Sequence, residues 1–163
     1  MTTKDESPVL EITRIFEATP AEIFNAWLDR EEWASWIGPE GVHCDVPLLE
    51  PRVGGGYRLI MHLPDGNIIR IAGIFKAIES NKSFAFTWGS AEGDRRETLV
   101  TVELRELHGR TELKLRQEGL PTAADRDGHD KGWNSTMNKL VAHLAARGQQ
   151  RSSDSSRRPH GVA

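Results

Sequence analysis

The chain is expected to fold as an α+β domain: a curved antiparallel sheet of six to seven strands, two short helices after the first strand, and a long C-terminal helix over the concave face. Three observations predict it. Residues 125–146 carry the one long apolar stripe at helical spacing, formed by Trp133, Met137, Leu140, Val141 and Leu144. Seven shorter segments before it alternate apolar and polar residues in the manner of strands. Two short helical patterns lie between the first and second of those segments. A long helix with one apolar stripe must bury it, and the sheet is the partner on offer.

Taken in order, residues 1–8 are polar and expected to be unstructured. Residues 9–17 alternate as a strand, with Leu10, Ile12 and Phe16 on one face, while Arg14 and Ile15 break the pattern. Thr19-Pro20-Ala21-Glu22 reads as an N-cap, a proline at the first helical position and an acidic first turn, and Ile23, Phe24, Trp27 and Leu28 follow at helical spacing. A second short helix over 31–36 stops at Ile37-Gly38-Pro39. A strand over 42–50 ends at Pro51, and Gly54-Gly55-Gly56 turns the chain into the strand opened by Tyr57-Arg58-Leu59. Pro64-Asp65-Gly66-Asn67 is turn chemistry and predicts a hairpin between that strand and 68–78, where Gly73 marks a bend or bulge. Phe84, Phe86 and Trp88 alternate with Ala85 and Thr87; residues 98–105 and 111–117 alternate too. Gly119-Leu120-Pro121 breaks the last strand before the closing helix. Residues 147–163 are rich in Ser, Arg and Gln without apolar periodicity and are expected to be a disordered tail, so the domain is 9–146.

Bulk properties narrow the function. At 163 residues the chain suits one domain with a sizeable core. No run approaches the roughly 18 apolar residues of a membrane helix, and the first residues lack the apolar centre of a signal peptide. The single cysteine, Cys44, has no internal partner, which fits a reducing cytoplasm. The formal charge of −3 divides into +3 for residues 147–163 and −6 for the rest. An acidic domain is a poor nucleic-acid platform, and the arginines of the tail lack the aromatic or amphipathic interleaving of a membrane-binding segment.

Reactive chemistry is sparse. The six histidines are scattered with no HxxxH, HxH or CxxC spacing, so neither a metal nor a cofactor is expected. His43-Cys44-Asp45 is the tightest cluster, but alternation along a strand lets only His43 and Asp45 share a face. Cys44 as a nucleophile would need a base, which His62 on the neighbouring strand could supply only if the register brought it near; a small buried hydrophobe is the plainer reading. The three glycines at 54–56 lack the lysine and Ser/Thr of a phosphate loop and no long helix follows them, so they read as a turn. No catalytic residue is assigned.

Four motifs carry a resemblance. They are Thr19-Pro20-Ala21-Glu22-Ile23-Phe24-Asn25-Ala26-Trp27 with Asp29-Arg30-Glu31-Glu32 and Trp36-Ile37-Gly38-Pro39; Gly54-Gly55-Gly56-Tyr57 with Asp65-Gly66; Phe84-Ala85-Phe86-Thr87-Trp88; and Gly132-Trp133-Asn134 with Met137 and Leu140. In this order, over about residues 9–146, they resemble the START-like, or SRPBCC, superfamily and its helix-grip fold. Within it they are most similar to the family named for the activator of heat shock protein 90 ATPase (homologue-1-like). Ile37 departs from the family pattern, which has an aromatic there. The resemblance implies either of two roles: binding of a lipid, polyketide or aromatic metabolite, as in related helix-grip proteins, or a co-chaperone-like, stress-response contact with a chaperone, as in the founding member.

Five tryptophans are generous for this length, and Trp36, Trp88 and Trp133 lie on the three surfaces that would bound one cavity. The expected lining is Phe24, Trp36, Leu59, Ile71, Phe86, Trp88, Leu115, Trp133, Met137 and Val141, with Arg58, His62, Arg70 and Gln117 as polar groups that would orient a ligand. A hydrophobic small-molecule binder is therefore the leading expectation. A protein-interaction module with a filled interior, and a polyketide-cyclase-like or hydrolase enzyme with an acid–base pair in the cavity, are its rivals. A homodimer through an exposed sheet edge fits the same architecture.

Overall fold

A computed structural model of the chain describes residues 8–91 and 97–162, with side chains as far as residue 147. The polar N-terminal stretch read as unstructured lies outside the described residues up to position 7. The order is β1 (Leu10–Phe16), α1 (Pro20–Leu28), α2 (Arg30–Trp36), β2 (His43–Leu49), β3 (Gly56–His62), β4 (Ile68–Glu79), β5 (Ser83–Ser90), β6 (Thr98–Leu107), β7 (Arg110–Glu118) and α3 (Ala123–Val162). All seven strands form one sheet in the order β1-β7-β6-β5-β4-β3-β2, and every neighbouring pair is antiparallel. The helix-grip arrangement expected from the sequence is present.

Local chemistry sets the element ends. Thr19 accepts the Glu22 amide while the Glu22 carboxylate accepts the Thr19 amide, a reciprocal cap with Pro20 just inside it. Asp29 caps α2 one way only, its carboxylate accepting the amide of Glu32. The start of α3 lies ahead of the expected residue 125 because the Thr122 hydroxyl accepts the Asp125 amide. Its backbone also continues as helix to Val162, past residue 146, where the absence of an apolar stripe predicts a tail. Apolar periodicity reports burial; Arg and Gln favour a helix without it.

Two strand irregularities differ from expectation. Leu10, Ile12, Arg14 and Phe16 share the inner face, so the alternation of β1 is unbroken in space; Arg14 reaches α3, donating to the Asn138 side chain at 2.9 Å and the Asn134 carbonyl at 3.0 Å. Gly73 is not the bulge. The register between β4 and β5 shifts between Phe75 and Ala77, whereas at Gly73 a Cβ would overlap the Thr87 carbonyl oxygen and the Tyr57 ring.

The core fills the space between sheet and helices. Trp27 sits at its centre, with ring centroids 4.8 Å from Trp36, 5.2 Å from Phe84 and 6.2 Å from Trp133. Trp133, Met137 and Leu140 of α3 are buried against the sheet, each contributing roughly 2 kcal/mol. Among the described residues no helix is long and apolar enough to cross a membrane.

Candidate functional site

The sheet and α3 part company toward the N-terminal end of the helix. A cleft of about 390 Å³ opens there, walled by Met61, Ile69, Ile71 and Trp88 from β3, β4 and β5, and by Ile37, Gly38 and Pro39 from the loop after α2. The helix supplies Ala124, Asp125, Gly128, His129, Gly132, Trp133 and Thr136. Ala124, Gly128, Gly132 and Thr136 recur every four residues and so form one row along the helix. That row of small residues is why space remains. A Cβ on Gly128 would meet nothing within 4 Å, and one on Gly132 would touch only Pro39, at 3.9 Å.

Trp133 and Trp88 form the inner wall, with ring centroids 5.1 Å apart. A buried chain of hydrogen bonds links the Trp133 ring to the Trp88 backbone. The Trp133 indole N–H donates to Gln117 Oε1 at 2.9 Å, Gln117 Nε2 donates to Thr98 Oγ1 at 2.8 Å, and Thr98 Oγ1 donates to the Trp88 carbonyl at 2.9 Å. Every member has a partner, so the chain anchors the Trp133 ring and the Trp88 backbone without leaving a buried polar group of its own unpaired. The loop wall is tied down as firmly. Lys139 Nζ lies 3.1 Å from the Val42 carbonyl and 3.4 Å from those of Ile37 and Pro39, and the Glu40 amide donates to Ser135 Oγ at 2.8 Å. Partial burial lowers the Lys139 pKa.

Of the ten apolar residues expected to line a cavity, Ile71, Trp88 and Trp133 do so. Leu59, Phe86, Leu115 and Met137 are buried in the filled part of the core. The opening begins at Ile71, whose cross-strand partner Leu59 is sealed in the core, and continues to the Met61–Ile69 pair two residues along. Trp36 is fully buried, packed against Trp27, and donates its indole N–H to the Ala26 carbonyl. Phe24 packs edge-on against Phe84, and neither lines the cleft. Val141 is 45% exposed, because it lies about 100° around the helix from Leu140.

The polar expectations divide similarly. Gln117 is buried beside the cleft, but its amide is committed to Trp133 and Thr98. Arg58 and Arg70 are exposed, and Arg58 borders a separate depression of about 310 Å³. His62 faces away from Cys44. It sits opposite His43 on β2, with Nε2 2.9 Å from an Asp45 carboxylate oxygen, and this hydrogen bond is the main reason the Asp45 pKa is lowered. Cys44 points inward; burial pushes its thiol up to about 11, against the nearby charge of Lys139. Strand alternation therefore separates the thiol from His62. Among the described residues no group of three or more His, Cys, Asp or Glu is arranged to hold a metal ion.

Apart from Trp133, sequence reasoning missed the helix side of the cleft. The signal was present: two glycines four residues apart inside an otherwise helical pattern, which weaken a helix unless backbone must be left bare.

No curated protein matches the chain. Solved structures do. A protein from Chromobacterium violaceum is 26% identical, with a TM-score of 0.77 over 82% of this chain and 94% of that one. The AHSA1 protein from Silicibacter pomeroyi is 29% identical, with a TM-score of 0.76 over 86% of this chain and 99% of that one. A protein from Arthrobacter aurescens, solved by NMR, shares the fold at 22% identity, with a TM-score of 0.77 over 89% of this chain and 90% of that one. The model of the family described as "Activator of Hsp90 ATPase homolog 1-like protein" matches residues 17–145. Strand order, helix placement and this match agree, and the chain belongs to that family, within the SRPBCC superfamily of helix-grip proteins.

Proposed function

We propose that this protein binds a small hydrophobic molecule in the cleft between the sheet and the N-terminal half of α3. The observation that carries the reading is the cleft itself: about 390 Å³, walled by Trp88, Trp133 and aliphatic side chains, beside a helix left bare at Gly128 and Gly132. That volume falls at the lower end of ligand pockets, and the mix of apolar wall with a few polar groups is typical of them. Burying roughly 200 Å² of apolar ligand surface would contribute about 5 kcal/mol before the cost of association. Fixed rings also spare the site the cost of ordering its walls on binding.

Nile red, a neutral apolar fluorophore, tests the reading. Its emission is expected to rise and shift to the blue with the wild-type protein and to lose most of that response with Gly128→Leu. Leucine at 128 projects into open space and favours the helix, so the fold is retained, as circular dichroism would verify. Equal responses from both proteins would remove the cleft as the binding site.

A further inference from the structure

The chemistry at the helix end of the cleft constrains what the ligand carries there; this rests on the binding reading above. Three of the helix residues on the lining are polar, namely Asp125, His129 and Thr136. One oxygen of the Asp125 carboxylate accepts the Thr122 hydroxyl at 2.9 Å, which leaves the other with no protein donor among the described residues. His129 Nδ1 lies 2.9 Å from the Asp125 carbonyl oxygen. A carbonyl only accepts, so Nδ1 carries the proton and Nε2 of the neutral ring offers a lone pair. Thr136 donates its hydroxyl to the Gly132 carbonyl at 2.9 Å and keeps only acceptor capacity. Each of these side chains thus offers an acceptor.

Charge points the same way. Asp125 is the one carboxylate on the lining, and no lysine or arginine lines it. The positive end of a helix ordinarily attracts anions. Here the Thr122 hydroxyl already takes the Asp125 amide, and the Asp125 carboxylate stands over the same turn. A fatty-acid carboxylate would therefore meet lone pairs and a like charge.

We infer that the cleft selects a slender amphiphile whose polar end is a hydrogen-bond donor, a hydroxyl or an ammonium group, with Asp125 and His129 as its acceptors. The carboxylate is exposed, so the preference is moderate.

Three ligands that differ only at the polar end test this: 1-octanol, octylamine and octanoate, titrated calorimetrically into the full chain at neutral pH and low salt. The alcohol and the amine are expected to bind about three- to tenfold more tightly than the acid. Asp125→Asn should weaken the amine and strengthen octanoate, so that the lead of the amine over the acid shrinks, since asparagine keeps an acceptor for Thr122 but loses the charge. If all three bind equally, if octanoate binds best, or if Asp125→Asn changes no ratio, the inference is overturned while the cleft stands as a binding site. If none binds and Nile red also fails to bind, the inference and the binding reading fall together.

Discussion

Two buried polar residues show how single side chains shape the region. Gln117 could be taken for a ligand-orienting group, yet its amide is spent inside the protein between Trp133 and Thr98. Replacing it with leucine strands the Trp133 indole N–H in the interior, and Gln117→Leu should lower stability by about 1–3 kcal/mol in urea unfolding. An unchanged midpoint would mean that the chain of hydrogen bonds contributes nothing. Cys44 gives a prediction in pH. Its thiol is raised from 9.0 to about 11 in the folded protein, so the folded state holds its proton where the unfolded chain has released it. The stability this confers is complete below pH 9 and is lost as pH rises through 11. Wild type should therefore lose stability relative to Cys44→Ala across that window, and the folded thiol should resist iodoacetamide at pH 8. Rapid stoichiometric alkylation of folded protein at pH 8 would contradict the assignment.

At the scale of elements, α3 does more than cover the sheet. Polar residues away from its apolar stripe bind its neighbours. Asn134 and Asn138 take Arg14 of β1, His143 lies 2.9 Å from Glu32 and 3.2 Å from Ser35 on α2, and Lys139 holds the loop after α2. Lys139→Met should cost about 1–2 kcal/mol and, more tellingly, speed amide exchange in residues 37–42. Exchange left unchanged there would show that the lysine is ornamental to the loop. The glycines of the same helix work in the opposite direction. Gly128→Ala should stabilise the protein by about 1 kcal/mol, since the new methyl group meets nothing. A stabilising substitution absent from the native chain is the pattern expected of a site that keeps space at the expense of stability. A lowered melting temperature for Gly128→Ala would mean the glycine serves the fold instead.

For the whole molecule, the architecture was legible because it depends on patterns that span many residues. Strand alternation from Leu10 to Gln117, the Thr19-Pro20 cap and the Trp133–Met137–Leu140 stripe together limit the answer to an α+β domain, and the four motifs in register carry the resemblance that implies the helix-grip fold. The cleft was legible only in part. Ile71, Trp88 and Trp133 could be placed on facing surfaces, but alternation says which face a residue shares and not how far along the strands the packing ends. Leu59 and Met61 look alike in the sequence; one is sealed in the core and the other lines the cleft. The positions that open the space, Gly128 and Gly132, carry no side chain for a search of apolar residues to find. Whether His62 comes near Cys44 was not legible, because cross-strand register, which seats it against His43, depends on the turn at residues 64–67 and the bulge between Asp45 and Leu48.

The most direct measurement is a ¹H–¹⁵N NMR titration of the full chain with 1-octanol. The account predicts that the shifts concentrate at the amides of Gly38, Gly128 and Gly132 and at the indole N–H signals of Trp88 and Trp133, and that they saturate together. Shifts that gather instead around Arg58 and Arg70, or that never saturate, would contradict it.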